Sequence, residues 1–258
     1  MNSIDINCDM GESFGAYTIG MDGEVLRYIS SANIACGYHA GDPRVMNRTV
    51  KAAGENGVGV GAHPGFPDLV GFGRRNMDCT PDEVRDDVIY QVAALKGFCS
   101  LHGVKMQHVK PHGSLYNMCV GNEALSRAVA EAIAAVDPTL LWVYLGGASA
   151  AQAQKVAREA GIRVVFEAFP DRAYTPDGKL ASRKLPGAVI EDPAKAAEQA
   201  LRMARDGRVI ALDGTPLDME IHTLCVHGDN PSALHHVRTI RQALAAEGIS
   251  IVSLGKAV

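Results

Sequence analysis

The sequence predicts an α/β fold, an irregular (β/α) TIM-like barrel of seven or eight strands that spans residues 1–258 as a single domain. Three observations carry this. Strand-like and helix-like segments alternate from end to end, as parallel βαβ units do. Seven or eight such units in about 250 residues fit a closed barrel. Polar and glycine-rich clusters follow the strands, whereas the helix-to-strand turns are plain. An open doubly wound sheet is the alternative arrangement of the same alternation.

In chain order, residues 4–9 read as a strand, 22–31 as a helix, 33–36 as a short strand and 43–56 as a helix. Residues 58–63 form a glycine-laced strand. Thr80, Pro81 and Glu83 make a capping box that opens a helix running to about His102 and stopped by Gly103. Residues 104–112, 140–145 and 163–169 read as strands, and 122–136, 149–160 and 193–205 as helices, the last two stopped by Gly161 and Gly207. Residues 209–212 and 221–227 read as paired or successive strands. A helix over 231–247 and a strand over 249–254 complete the chain.

Composition removes several function classes. The chain has 47% hydrophobic and 21% charged residues and a formal charge of −4, without a Lys/Arg run, so nothing recommends nucleic acid as a partner. The start of the chain lacks a basic segment followed by an apolar one, and the most apolar strand-like run, 140–145, is too short to span a bilayer. Six cysteines without a CxxC pair fit reduced thiols, and a cytoplasmic location is expected. GxxxxGK[ST], a strand-borne GxGxxG, HExxH and GxSxG are all missing.

Strand parity locates the chemistry. Asp5, Asn7 and Asp9 share one face, as do His108, Lys110 and His112, and Thr223, Cys225, His227 and Asp229. Helices cover the outside of a barrel, so these faces are expected to turn into the lumen near the upper rim, where catalytic loops gather. Gly59 and Gly61 share a face with His63 and leave room there. Singly, each residue has a plainer reading. Asp42 is suited to cap the helix opened by Pro43, and His102, His235 and His236 fall on helices in surface or structural positions. Together, acids, histidines and a lysine after at least four strands mark an active site, and dispersed Asp and His could also hold a divalent metal.

The strand-end motifs resemble those of the LamB/YcsF family. They are DINCDMGE (5–12), NIACGYHAGD (33–42), GAHPGFPD (61–68), VKPHGSLYN (109–117), EAFPDRAY (167–174), LASR (180–183) and CVHGD (225–229). They cover nearly the whole chain in order. The resemblance implies a barrel similar to that of polysaccharide deacetylases. It further implies cleavage of 5-oxo-L-proline to L-glutamate coupled to hydrolysis of ATP, with Mg²⁺, in a complex with subunits B and C. Physical argument then assigns roles. Asp9, His39 and His63 are expected as base or metal ligand, and Lys110 as phosphate or oxyanion partner. Asn7, Glu12, His112, Glu167, Arg172, Arg183, His227 and Asp229 are expected to bind substrate or orient the others. Lys110 is expected to matter to the chemical step more than to folding. The alternatives are a metal-dependent amide hydrolase without ATP and a non-catalytic subunit that binds a small molecule.

Overall fold

The computed structural model describes residues 3–227 and 231–258. Its strands are β1 (Ser3–Met10), β2 (Ser31–Ala35), β3 (Gly59–His63), β4 (Met106–Val109), β5 (Leu141–Leu145), β6 (Arg163–Ala168), β7 (Arg208–Ile210), β8 (Pro216–Asp218), β9 (Thr223–Val226) and β10 (Ser250–Ile251). The helices are α1 (Asp22–Val25), α2 (Pro43–Glu55), α3 (Pro81–Leu101), α4 (Gly113–Cys119), α5 (Glu123–Val136), α6 (Ala150–Ala160), α7 (Pro193–Asp206), α8 (Pro231–Ala246) and α9 (Leu254–Ala257). Strands β1 to β6 pair in parallel in chain order, β9 joins β6, and β9 also pairs with β1, which closes a seven-stranded barrel. Helices lie between the strands. Among the described residues, no helix is long and apolar enough to cross a membrane.

Local chemistry accounts for the helix ends. Thr80 and Glu83 form the full capping box at α3, and Asp42 accepts from the backbone of Arg44 and Val45 ahead of Pro43. Gly161 and Gly207 end α6 and α7 in the left-handed conformation. The outward residues of β1, Ile4, Ile6, Cys8 and Met10, are buried in the main apolar cluster against the helices. The inward residues Asp5 and Asn7 are buried too, among polar partners.

Four segments depart from the sequence expectation. The helix expected over 22–31 is a single turn, because Ser31 already pairs with Asn7 and the Ser30 and Ser31 hydroxyls both donate to Asp5. The fourth strand ends at Val109, before Pro111, and Gly113 at φ 53° turns the chain into the unforeseen α4. Residues 209–212 do not join the barrel: β7 pairs antiparallel with β8 in a separate hairpin, so the barrel has seven strands. The last strand is two residues long and pairs with Ser3 and Ile4. It leads into α9, which closes the lower end of the barrel. There Leu254 packs with Leu141, Val143 and Val165, and its N–H donates to Ser31 Oγ.

Candidate active site

The lumen above that apolar floor is filled by hydrogen-bonded polar side chains instead of aliphatic layers. Asp5 accepts from Ser30 and Ser31 at 2.7 and 2.6 Å and from Thr223 at 2.5 Å. Asn7, one step higher on β1, donates to Glu167 and Thr223 at 2.9 and 2.6 Å. Asn33 donates to Asn7 and Asp9 at 2.7 and 2.8 Å, which leaves its carbonyl to accept from His108 Nε2 at 2.6 Å. The His108 ring needs the bare face of Gly61, where a Cβ would lie 2.1 Å from its Nε2. The space foreseen at Gly61 is thus used by a neighbouring side chain.

Lys110 closes this network from above. Its Nζ lies 3.0 Å from Asp9 Oδ1, 2.9 Å from Glu167 Oε1, 3.3 Å from Asn7 Oδ1 and 3.2 Å from Cys225 Sγ. Burial opposes its charge, yet the neighbouring Asp9 and Glu167 carboxylates hold its pKa above the ordinary lysine value. Burial also opposes ionisation of Asp9, and His63 and Lys110 overcome it, keeping that carboxyl well below the usual range.

Beside Asp9 stands a group of histidines. His63 Nε2 is 3.3 Å from Asp9 Oδ2, and its Nδ1 donates to the Lys110 carbonyl at 2.7 Å. His112 Nε2 donates to the Phe72 carbonyl at 2.8 Å, while its Nδ1 faces His63 Nε2 at 2.9 Å. His39 is wholly buried and stacks on His112, with ring centroids 3.7 Å apart; neither of its nitrogens has a hydrogen-bond partner in the structure. Glu12 lies 3.6 Å from His39 and 3.8 Å from His112. One ligand atom each from Glu12, His39, His63 and His112 fits within 4.8 Å of the others, the spacing of residues able to hold a metal ion. Burial, with Asp9 nearby, pushes the Glu12 carboxyl up to about 7, and burial with His63 pushes His112 down to about 3.

A cavity of about 580 Å³ opens over this floor, within the roughly 300–1,000 Å³ of small-molecule sites. Asp9, Glu12, His63, Lys110 and His112 reach it, and Arg74, Asn76, Arg172, Lys179, Arg183 and His227 line its rim. The four residues foreseen as catalytic, Asp9, His39, His63 and Lys110, are brought together. Asn7 and Glu167 lie beneath Lys110, and His39 lies behind His112, so these three support the lining. The Arg172 guanidinium donates to the Ala181 and Ala188 carbonyls and ties the loop after β6 together. Arg183 meets His227 Nε2 at 3.3 Å, and His227 Nδ1 meets Asp171. Asp229 lies outside the described residues.

Sequence reasoning passed over Asn33, Arg74 and Phe72. Strand parity could have marked Asn33, which lies two residues after the Ser31 that pairs with Asn7. Phe72 carries a signal only in three dimensions. Among the described residues it is the non-glycine residue at positive φ (54°), and its carbonyl orients His112.

Known proteins resemble this chain over nearly its full length. The LamB/YcsF family profile matches residues 4–258. A protein from Natranaerobius thermophilus, named as the A component of 5-oxoprolinase, is 53% identical over 99% of this chain and 98% of its own length. One of the same name from Pyrococcus abyssi is 53% identical over 97% of both. Among solved structures, a lactam utilization protein from Thermus thermophilus superposes with a TM-score of 0.92 at 47% identity, covering 97% of this chain and 99% of that one. A polysaccharide deacetylase from Bacillus cereus is a more distant likeness, 14% identical with a TM-score of 0.48 over 96% of this chain and 91% of its own.

Proposed function

This chain belongs to the LamB/YcsF family, and from that premise we propose that it is the barrel subunit of an ATP-dependent 5-oxoprolinase. The complete enzyme opens 5-oxo-L-proline to L-glutamate as ATP is hydrolysed. The observation that carries the reading is the full-length identity, above half, with relatives named as the A component of that enzyme. The cavity supports it, with a charged floor, a cationic rim and room for a small lactam beside a phosphoryl group. Subunits B and C are the proposed partners, and the cytoplasm, where all six cysteines stay free, is the proposed location.

The chemistry follows from the stability of the amide. Transfer of the γ-phosphoryl from ATP to the lactam oxygen releases ADP and leaves an imidate-like phosphate ester. Water then adds to the ring carbon and the C–N bond breaks; a second water displaces phosphate, giving glutamate. Asp9, whose Oδ2 lies beside His63 at the cavity, is placed to take the proton of the attacking water. Lys110 is already engaged by two carboxylates, so in this reading it holds Asp9 in place and donates toward developing oxyanion charge. Arg74 and Arg183 at the rim are the cations for the substrate carboxylate and the phosphoryl group. No nucleotide-binding loop is recognisable in the sequence, so ATP with Mg²⁺ is assigned to a site completed by the partner subunits.

The test is to follow 5-oxoproline, glutamate and ATP together, first with this chain alone and then with subunits B and C. The expected outcome is weak or no turnover alone and one ATP consumed per 5-oxoproline lost in the reconstituted complex. Full ATP-driven turnover by the isolated chain rejects the shared-site arrangement; no turnover by the complex rejects the reading. The Glu12, His39, His63 and His112 cluster favours a second reading, a metal-dependent amide hydrolase without ATP. Loss of 5-oxoproline without ATP would decide for it.

A further inference from the structure

We infer that the floor of the cavity holds a divalent transition-metal ion of the zinc class, seated between His63 Nε2 and His112 Nδ1 with Glu12 as carboxylate ligand and His39 as a third imidazole. The inference is independent of the substrate reading above. It starts from which nitrogens carry protons. A backbone carbonyl only accepts, so His63 Nδ1 must donate to Lys110 and His112 Nε2 must donate to Phe72. In the neutral rings, the two remaining nitrogens are therefore both lone pairs, and they face one another at 2.9 Å. Two lone pairs at that distance repel unless a proton or a metal cation bridges them, and a proton there would still leave the buried His39 ring without a partner, which a metal would not. The surroundings are arranged for one, because Asp9 Oδ2 is 3.3 Å from His63 Nε2 and Glu12 Oε1 is 3.8 Å from His112 Nδ1.

The second observation is His39. Its side chain is fully buried, both ring nitrogens lack a hydrogen-bond partner in the structure, and Nε2 lies 3.6 Å from Glu12 Oε1. A buried imidazole without partners is costly unless something else satisfies it. The glycines at 65 and 73 make room for this cluster. A Cβ at Gly65 would meet His39 Nδ1 at 2.8 Å, and one at Gly73 would meet His39 Cβ at 2.7 Å and His112 Cδ2 at 2.8 Å. The partners on the far side of the rings match those of metal-binding histidines, whose second N–H characteristically donates to a backbone carbonyl or carboxylate. Nitrogens bonded to one tetrahedral zinc at ~2.0–2.1 Å stand ~3.4 Å apart. The contacts of 2.9, 3.6 and 3.8 Å bracket that value. His39 and His112 are parallel within 2°, so one ring must tilt out of the stack to share an ion. Three imidazoles and one carboxylate suit zinc and its neighbours better than Mg²⁺ or Ca²⁺, which prefer all-oxygen shells.

The full-length chain, stripped with a chelator and titrated with Zn²⁺ or Co²⁺, is expected to retain one ion per chain after desalting. His63→Gln and His112→Gln should each weaken binding by more than the ~10–100-fold that loss of an outer-shell partner costs. His102→Gln, whose ring meets Asn47, should leave binding unchanged. X-ray absorption of the zinc-loaded wild type needs no variant and should show two or more imidazoles at about 2.0–2.1 Å. A wild type that leaves the titration metal-free overturns the inference. So does a zinc shell of sulfur or of oxygen alone, and so does undiminished binding by the His63→Gln/His112→Gln double variant. Neither 5-oxoproline nor ATP enters the readout, so this result and the substrate reading stand or fall separately.

Discussion

At the scale of single residues, the structure changes what Lys110 is expected to do. Its inward position is legible from the spacing of His108, Lys110 and His112, but the two carboxylates that meet it come from β1 and β6, far apart in sequence. Replacing it leaves Asp9 and Glu167 buried without their counter-charge. Lys110→Met is therefore expected to lower unfolding free energy by about 3–5 kcal/mol, measured in urea. Adding Glu167→Gln should restore part of the loss, because one orphaned charge is gone; simple additivity of the two changes contradicts the pairing. Asp5 makes a second case. Burial pushes its carboxyl up to about 6 from 3.8, against the opposing bonds from Ser31, Thr223 and Ser30. Its folded pKa exceeds the unfolded one, so its contribution is fully present below about pH 4 and is lost as pH rises through about 6. Asp5→Asn removes that term. The stability difference, variant minus wild type, should grow by about 2 kcal/mol between pH 4 and pH 7, and a flat difference contradicts the assignment.

At the scale of elements, what could be read from sequence was what local chemistry decides. Thr80, Pro81 and Glu83 mark the start of α3 because capping needs only neighbours, and Thr80→Ala should cost about 1 kcal/mol in the same urea titration. Parity placed Asp5, Asn7 and Asp9 inward because a strand covered by helices has one face left for polar groups. What could not be read depends on partners distant in the chain. The first helix is cut short by the hydroxyls that Asp5 requires, and β7 looks like a neighbour of the barrel strand β9 until its antiparallel partner β8 and the closing pair β9–β1 are known. Asn33 is the same kind of case, since its place at the centre of the lumen network exists only once β1, β2 and β4 are side by side. Gly61 shows the coupling between those strands. Gly61→Ala forces the His108 ring off Asn33 and is expected to cost at least the ~1–3 kcal/mol of ordinary overpacking; a variant as stable as the wild type contradicts the packing described.

At the scale of the molecule, the barrel is a scaffold that holds an ionised and imidazole-rich floor, largely buried, beneath the cavity at one end and closes the other with α9. This arrangement has a cost in acid. Burial holds His108 and His112 down to about 3, so between that value and the ordinary 6.5 the native state binds fewer protons than the unfolded chain. Stability is therefore expected to fall as pH drops below 6.5, with His108, His112 and the likewise depressed His39 outweighing the opposite slopes of Asp5 and Glu12; a wild-type urea midpoint unchanged from pH 7 to pH 4 contradicts this. The central claim is that the Asp9 end of the lumen is where the lactam is opened. Asp9→Asn tests it most directly, because the amide keeps an oxygen for Lys110 and Asn33 while losing the charge beside His63. In the complex with subunits B and C, turnover of 5-oxoproline to glutamate should fall by roughly 10²-fold or more, with assembly intact by size-exclusion chromatography. Wild-type turnover from a correctly assembled Asp9→Asn complex contradicts it.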